Sequence, residues 1–230
     1  MSERSGFGRD AIPEFGWKSG AAECSAAYIL PVLKRLAAPF DGRRVLDIGC
    51  GNGVNAGKYL EWGCSVVGID ASAEGVEIAR ERHPGGRFEN LPITDDVLEA
   101  LDEAPFDIVS STEVVEHLYN PQEWAAAAFN ALRPGGVLVC SCPFHGYFKN
   151  LVLSLTGKWD GHHQPLVHGG HIKFWSRATL ARLLTSVGFS EIRFAGAGRV
   201  PLLWKSMLLR ALKPRGTTHR ATGRTGSTRR

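Results

Sequence analysis

No run of about eighteen apolar residues, the minimum for a membrane-spanning helix, occurs in the 230-residue chain. Its first residues, Met1-Ser2-Glu3-Arg4, lack the apolar core of a secretion signal, and the expectation is a cytoplasmic protein. Cysteine is sparse and odd in number: Cys24, Cys50, Cys64, Cys140 and Cys142 include no Cys-x-x-Cys pair. A disulfide framework and a thiolate zinc site are therefore not suggested, and the cysteines read as small buried residues. Acid is missing from residues 213–230, which hold six cations: Lys213, Arg215, Arg220, Arg224, Arg229 and Arg230. These outnumber the formal net charge of +4, so the rest of the chain is slightly acidic. A tail of Thr, Gly and Arg cannot bury enough apolar area to order itself, and 213–230 is expected to be a disordered basic tail. Such a tail can touch RNA or an anionic lipid surface without making the domain a nucleic-acid enzyme.

With 43% hydrophobic residues, a single packed domain over 21–212 is the simplest reading. The polar, Gly-rich stretch 1–20, with Phe15 and Trp17, is a floppy leader or a flap. Apolar residues at helical spacing predict a helix over 21–38, kinked at Pro31. Strands are then expected at 44–48, 65–69, 87–89, 106–110 and 137–141. Helices at 56–62, 72–83, 95–101 and 121–132 fall between them. This alternation implies right-handed βαβ units and a parallel sheet covered on both faces. The rhythm breaks over 143–175, where five of the eight histidines fall among aromatics. A connection that long is normally functional, and a substrate lid is expected there. A helix over 176–187, a strand near 191–194 and one more strand within 200–212 complete the pattern.

The stretch that organises the chain is Val45-Leu46-Asp47-Ile48-Gly49-Cys50-Gly51-Asn52-Gly53. Glycines at every second position after an apolar strand let the backbone turn and a ligand approach. Asp70, at the tip of the next strand, is placed to accept hydrogen bonds from ribose hydroxyls. Gly51-x-Gly53-x-x-Ala56 nominally satisfies a dinucleotide fingerprint, and a nicotinamide-dependent oxidoreductase is the alternative. Asp47, however, stands two residues before Gly49, where a dinucleotide site has only apolar strand. A carboxylate there suits a ligand bearing positive charge. S-adenosylmethionine carries a sulfonium and an ammonium, a dinucleotide only pyrophosphate.

These residues resemble the first motif of the class I S-adenosylmethionine-dependent methyltransferases, with Asp70 as the ribose-binding acid and Leu132-Arg133-Pro134-Gly135-Gly136 as the turn before strand five. Ser111-Thr112-Glu113-Val114-Val115-Glu116-His117-Leu118 is similar to the strand-four exit of the branch containing the ubiquinone-biosynthesis O-methyltransferases. The resemblance covers roughly 44–195. It implies a Rossmann-like, doubly wound seven-stranded sheet with the last strand antiparallel, helices on both faces and the cofactor across the carboxyl ends of strands one to four. It also implies that Gly49, Cys50, Gly51, Asn52 and Gly53 meet the methionine part and that Asp47 organises its ammonium. Ala71, Ile93, Thr112 and Glu113 complete the expected cofactor site. Relatives often place an acid or Ser after strand three for the adenine amino group, whereas this chain reads Asn90-Leu91-Pro92-Ile93-Thr94, so Ile93 is expected to flank the adenine by packing.

Methyl transfer from a sulfonium is an in-line displacement with an excellent leaving group, so the protein mainly aligns donor and acceptor and excludes water. A base is needed only where the acceptor is a weakly acidic hydroxyl, and histidine suits that task. His117 and His145 at strand exits lead the candidates, followed by His171; His162, His163 and His168 lie in the same irregular segment. Glu113, Glu116 and His117 at i, i+3 and i+4 would share one helix face and could hold a divalent metal. Tyr147, Phe148, Leu151, Val152 and Leu155 form an apolar stripe expected to pack over the pocket, with contact to a membrane interface as the second reading. Nucleic acid is disfavoured, because no Asn/Asp-Pro-Pro-aromatic clamp follows strand four. A small-molecule methyltransferase acting on a hydroxyl of an aromatic or lipophilic acceptor is the main expectation. A non-catalytic cofactor-binding or membrane-associated accessory protein is the reading from another class.

Overall fold

The computed structural model describes residues 21–163, 166 and 170–216. The flap expected over 1–20, the tail beyond Gly216 and His168 lie outside the described residues. Seven strands form one sheet: β1 (Arg44–Ile48), β2 (Ser65–Asp70), β3 (Arg87–Asn90), β4 (Phe106–Thr112), β5 (Leu132–Pro143), β6 (Ser190–Ala197) and β7 (Ser206–Leu212). Their order is β3-β2-β1-β4-β5-β7-β6. Strands β1 to β5 pair in parallel, and β7 runs antiparallel to both β5 and β6. The mostly parallel sheet with an antiparallel last strand is thus the one expected. The order in which strands are added reverses at β1, running to β2 and β3 on one side and to β4 and β5 on the other, which opens a crevice at their carboxyl ends.

Helices cover both faces. On one lie α1 (Ala21–Ala37), α2 (Val54–Glu61) and α3 (Ala73–Arg82), which bury Ile29, Leu33, Ala56, Tyr59, Val76 and Ala79 against Val45, Val66 and Leu208. On the other lie α4 (Val97–Leu101), α5 (Pro121–Ala131) and α8 (Arg177–Ser186), with Leu101, Trp124, Leu180 and Leu184 against Leu46, Val109 and Leu138. Both faces of β1 and β4 are therefore dry, which is why their sequences are continuous apolar runs rather than alternating ones. Each large side chain sealed in this way contributes about 1.5–3 kcal/mol. Helix α1 is unbroken at Pro31; the ring deprives the carbonyl of Ala27 of its donor, and Ala27 is exposed, so water can take that place. Helix starts follow local chemistry: Ser72 caps α3 through Gly75 N–H at 3.1 Å, and Ser176 and Thr179 form a reciprocal capping box on α8.

The structure departs from the sequence reading in three places. The residues after β4 are not a helix. Glu113 takes φ +55°, a left-handed conformation that breaks helical spacing, and only a single 3-10 turn, Val115–His117, follows. Residues 143–175 contain α6 (Tyr147–Leu155) and the short α7 (Asp160–His163), but α6 is turned the other way round from the expected lid. Lys149 is its buried residue, and Tyr147 and Leu155 are 76% and 77% exposed. Finally, packing continues past Leu212: Lys213 Nζ donates to the carbonyls of Phe129 at 2.8 Å and Leu132 at 2.7 Å, so the first tail cation belongs to the fold.

Candidate active site

From β1 the chain turns through Gly49, Gly51 and Gly53, with φ of +77°, +50° and +80°. Glycine is the residue that adopts these values without strain. Two of the three also make room for the protein itself. A Cβ on Gly49 would overlap the Val114 side chain, and one on Gly53 would lie 2.9 Å from both Ala79 Cβ and His83 Cδ2. Part of the space the glycines leave is therefore filled by Val114 and His83, which no motif in the sequence marks.

Gly51 is different, because its N–H donates to Asp70 Oδ2 at 2.8 Å. The other oxygen, Oδ1, accepts from Ser72 N–H at 2.8 Å. The Asn90 amide donates to the carbonyls of Asp70 and Ala71 at 3.0 and 2.9 Å. Asn90, the last residue of β3, therefore ties down the β2 tip. Each Asp70 oxygen has further acceptor capacity, so the carboxylate is fixed in place and still able to accept from a pair of hydroxyls. Cys50 and Asn52 are buried in the loop. Burial, with Asp47 and Asp70 nearby, pushes the Cys50 thiol up, so it is a neutral filler and not a nucleophile.

Asp47 is the unusual group. It is 1% exposed, and neither carboxylate oxygen has a hydrogen-bond partner among the described residues. Burial, partly opposed by the nearby Ser110 hydroxyl and reinforced by Asp70, raises its pKa from 3.8 to about 7. That hydroxyl is within 2.5 Å of Tyr59 Oη and makes no bond of good geometry to Asp47. A buried carboxylate without donors is costly, and its position at the end of β1 beside the glycine turn suits a cationic ligand group. S-adenosylmethionine, with an ammionium and a sulfonium, satisfies that demand; a pyrophosphate would aggravate it.

On the other flank, Asn55 Nδ2 donates to Thr112 Oγ1 at 2.5 Å, joining the first turn of α2 to the end of β4. Asn55 Oδ1 is buried without a donor, a second acceptor that sequence reasoning missed. Ile93 is half-buried and packs against the core edge. Glu113 turns away from the loop. Its Oε1 accepts from Ser141 Oγ at 2.8 Å and its Oε2 from Ser206 Oγ at 3.2 Å, both on the β5 and β7 side. Burial lifts it to about 7.

The expected trio of Glu113, Glu116 and His117 does not form, since the left-handed Glu113 separates the first member from the others. A different trio does: ligand atoms of Glu116, His117 and His171 lie within 4.8 Å of one another. Glu116 is 1% exposed and neither of its oxygens has a hydrogen-bond partner among the described residues; burial, then Glu113, pushes it well up. His117 Nε2 is 3.8 Å from Glu116 Oε1, and its Nδ1 is 3.3 Å from the carbonyl of Gly170. The strap that brings in His171 is fastened by Ile172 and Lys173 N–H, each 3.0 Å from the Glu116 carbonyl, and by Trp175 Nε1 on the Val115 carbonyl at 3.3 Å. One buried acid and two imidazoles can pass a proton or hold a divalent ion.

His145, the other leading candidate, is less suited to proton transfer. Burial, with Lys149, His162 and His171 opposing its charge and Asn150 partly favouring it, lowers its pKa to about 4. It lies in an aromatic nest, 4.8 Å from the Phe174 ring and 6.2 Å from Trp159, centroid to centroid. Next to it Lys149 is pulled down to about 8 by burial and Arg199.

Comparison with known proteins accounts for this arrangement. A methyltransferase domain model matches residues 22–192. The ubiquinone biosynthesis O-methyltransferase of Cereibacter sphaeroides is 30% identical over 169 residues, 72% of this chain and 68% of its own. The protein of the same name from Roseobacter denitrificans is 33% identical over 175 residues, covering 72% and 67%. A methyltransferase solved with the Haloferax volcanii Trm112 activator superposes with a TM-score of 0.65 at 17% identity, over 86% of this chain and 93% of that one, a likeness of fold. The nicotinamide alternative falls away: the chain belongs to the S-adenosylmethionine-dependent methyltransferase family.

Proposed function

We propose that the chain methylates a hydroxyl of an aromatic or lipophilic small molecule, with His117 as the proton acceptor and Glu116 beside the same ring nitrogen. The observation that carries this reading is the buried Glu116 carboxyl, without a hydrogen-bond partner among the described residues and 3.8 Å from His117 Nε2 at the exit of β4. The relatives named above act on oxygen by name, which supports the same class of acceptor.

When bound, S-adenosylmethionine supplies a methyl group on a sulfonium sulfur. Asp47 pairs with the cationic methionine end, and the gain is large because the carboxylate is buried without other donors. Asp70, held by Gly51 and Ser72, would receive the ribose hydroxyls, and Ile93 would line the adenine by packing. The Gly170 carbonyl accepts from His117 Nδ1–H, which leaves Nε2 as the basic nitrogen. His117 Nε2 would take up the proton of the acceptor hydroxyl, and the imidazolium so formed would lie beside the Glu116 carboxyl and favour its ionised form. His171 completes the polar wall and, with the other two, could ligate a divalent ion. The aromatic nest of His145, Trp159 and Phe174 offers flat faces to a ring-bearing acceptor.

The test is to incubate the enzyme with S-adenosylmethionine carrying a labelled methyl group and a metabolite extract, then identify the mass that gains label. A labelled phenol or enol ether is the expected product. Label on carbon or nitrogen overturns the oxygen reading, and cofactor binding without labelling of any acceptor favours the non-catalytic accessory role.

A further inference from the structure

Two helices interlock behind the glycine turn. Ala79 and His83, one turn apart on α3, face Gly53 and Gly57, one turn apart at the start of α2. A Cβ on Gly57 would overlap the His83 ring at Cε1 and lie 2.8 Å from its Nε2, and one on Gly53 would lie 2.9 Å from its Cδ2. Gly53 needs its freedom for φ +80°. Gly57 is an ordinary helical residue, and Ala would favour the helix more were the ring not there. The imidazole therefore occupies a notch kept open for it. Its backbone is fixed, since His83 closes α3 with its N–H on the Ala79 carbonyl at 3.0 Å, and the Phe88 ring of β3 stands near it, 6.4 Å between centroids. Helix α2 has neither a side-chain cap nor an acid in its first turn, so the turn that leads into it takes its position from this packing.

We propose that His83 is a positioning residue for S-adenosylmethionine: seated uncharged in the notch, it holds the Gly49–Gly53 turn in the form that receives the cofactor, and a proton on the ring unseats it. The inference rests on the glycine turn being the cofactor cradle and is independent of the acceptor. The surroundings favour the neutral ring. One side of it meets the carbon of Ala79 and the two glycines, and the other opens on a groove of about 360 Å³ lined by Val54, Lys58, Glu61 and Arg82. The charged groups that face it are thus Lys58 and Glu61 from α2 and Arg82 beside it, with the Phe88 ring from β3. Lys58 Nζ already holds both Glu61 oxygens, at 2.7 and 2.8 Å. Burial, then Arg82, lowers the His83 pKa from 6.5, and Glu61 partly opposes them. Since the folded value lies below the unfolded one, the stability of the seated ring is full above about pH 6.5 and is lost as pH falls through the folded value.

Calorimetric titration of the full chain with S-adenosylhomocysteine tests it. At about pH 7.5, His83→Ala should bind about tenfold more weakly with native circular dichroism. His83→Gln, which keeps a planar polar end of similar reach and does not titrate, should recover most of the affinity. As pH falls to about 5.5, the wild type should weaken by more than His83→Gln does. Asp47, raised to about 7, titrates in both, so the difference between the two profiles belongs to His83. Gly57→Ala should weaken binding in the wild type by driving the ring out, and should cost little in His83→Ala, where the notch is empty. The proposal is overturned if His83→Ala lowers Tm and leaves affinity at wild-type strength, if the wild type and His83→Gln share one pH profile, or if Gly57→Ala acts equally in both backgrounds. Affinity that survives Gly51→Val as well overturns the cradle and this inference together; affinity lost in Gly51→Val but kept in His83→Ala overturns the role of His83 alone.

Discussion

The two flanks of the sheet's carboxyl edge are assembled in different ways. On the β1–β2 flank the bonds that fix the acid at the tip of β2 are short in sequence: Asp70 lies nineteen residues beyond Gly51, and Ser72 two residues beyond that acid. On the β4–β7 flank the contacts join distant segments: Glu116 with the strap at Ile172, Glu113 with Ser206, and Lys149 with Lys205. A local flank can be kept constant while a flank made of remote segments varies, which is how one cofactor site comes to serve many acceptors.

The comparison is broken most severely by a change on each flank. Gly51→Val sets a β-branched residue at φ +50°, displaces the N–H from Asp70 and should remove S-adenosylhomocysteine binding by calorimetry while circular dichroism stays native. Retained affinity would mean that the loop is not the cofactor cradle. On the opposite flank, His117→Ala should lower kcat by about 10²–10⁴-fold with cofactor affinity unchanged. Glu116→Gln should follow it with a smaller loss, because the acid acts through His117. If both variants lose cofactor affinity instead, the two flanks are not separable and the assignment of His117 to the acceptor side fails.

Asp47 sharpens the contrast through pH. Its folded pKa of about 7 lies above the unfolded value near 3.8, so the native state binds the extra proton. Stability from this group is then full below about pH 4 and is lost as pH rises toward 7. A shift of about three units corresponds to roughly 4 kcal/mol. Asp47→Asn should therefore match the wild type near pH 4 and exceed it by a few kcal/mol at pH 8 in the absence of cofactor, measured by urea denaturation. The same variant should bind S-adenosylmethionine at least about tenfold more weakly. A variant no more stable at pH 8 would show that Asp47 already has a partner.

The difference between the flanks also explains what could be read from residues alone. Val45 to Gly53 declares a strand, a turn and a ligand because the apolar run, the φ-permissive glycines and the acid sit in one window. The parallel pairing of β1 to β5 followed from alternation with helices. Asp47's isolation was not legible, since it depends on Tyr59 holding the Ser110 hydroxyl from another helix. The Glu113-Glu116-His117 spacing looked helical because spacing carries no sign of φ, and one left-handed residue exchanged Glu113 for His171. The stripe on α6 was visible as periodicity, but periodicity does not say which face meets the protein. Lys149 was missed for the same reason: a lysine at helical spacing reads as solvated until Lys205, 56 residues on, supplies its acceptor.

The smallest effect is expected at Lys213, which belongs to neither flank and so sets the baseline for purely structural loss. Its ammonium adds a donor to two carbonyls at the end of α5, Phe129 and Leu132, and lies 4.6 Å over the Phe129 ring. Helix ends leave such carbonyls without intrahelical donors, and a partly buried cation serves them better than water confined against the ring. Lys213→Ala should cost about 1–2 kcal/mol, a fall in Tm of roughly 2–8 °C for a chain of this size, with kcat and cofactor affinity unaltered. Lys213→Met, which keeps the stem over Phe129 without the charge, should recover part of the loss. If Lys213→Ala instead lowers cofactor affinity, the base of β5 transmits strain to the carboxyl edge, and the independence of the two flanks has to be given up.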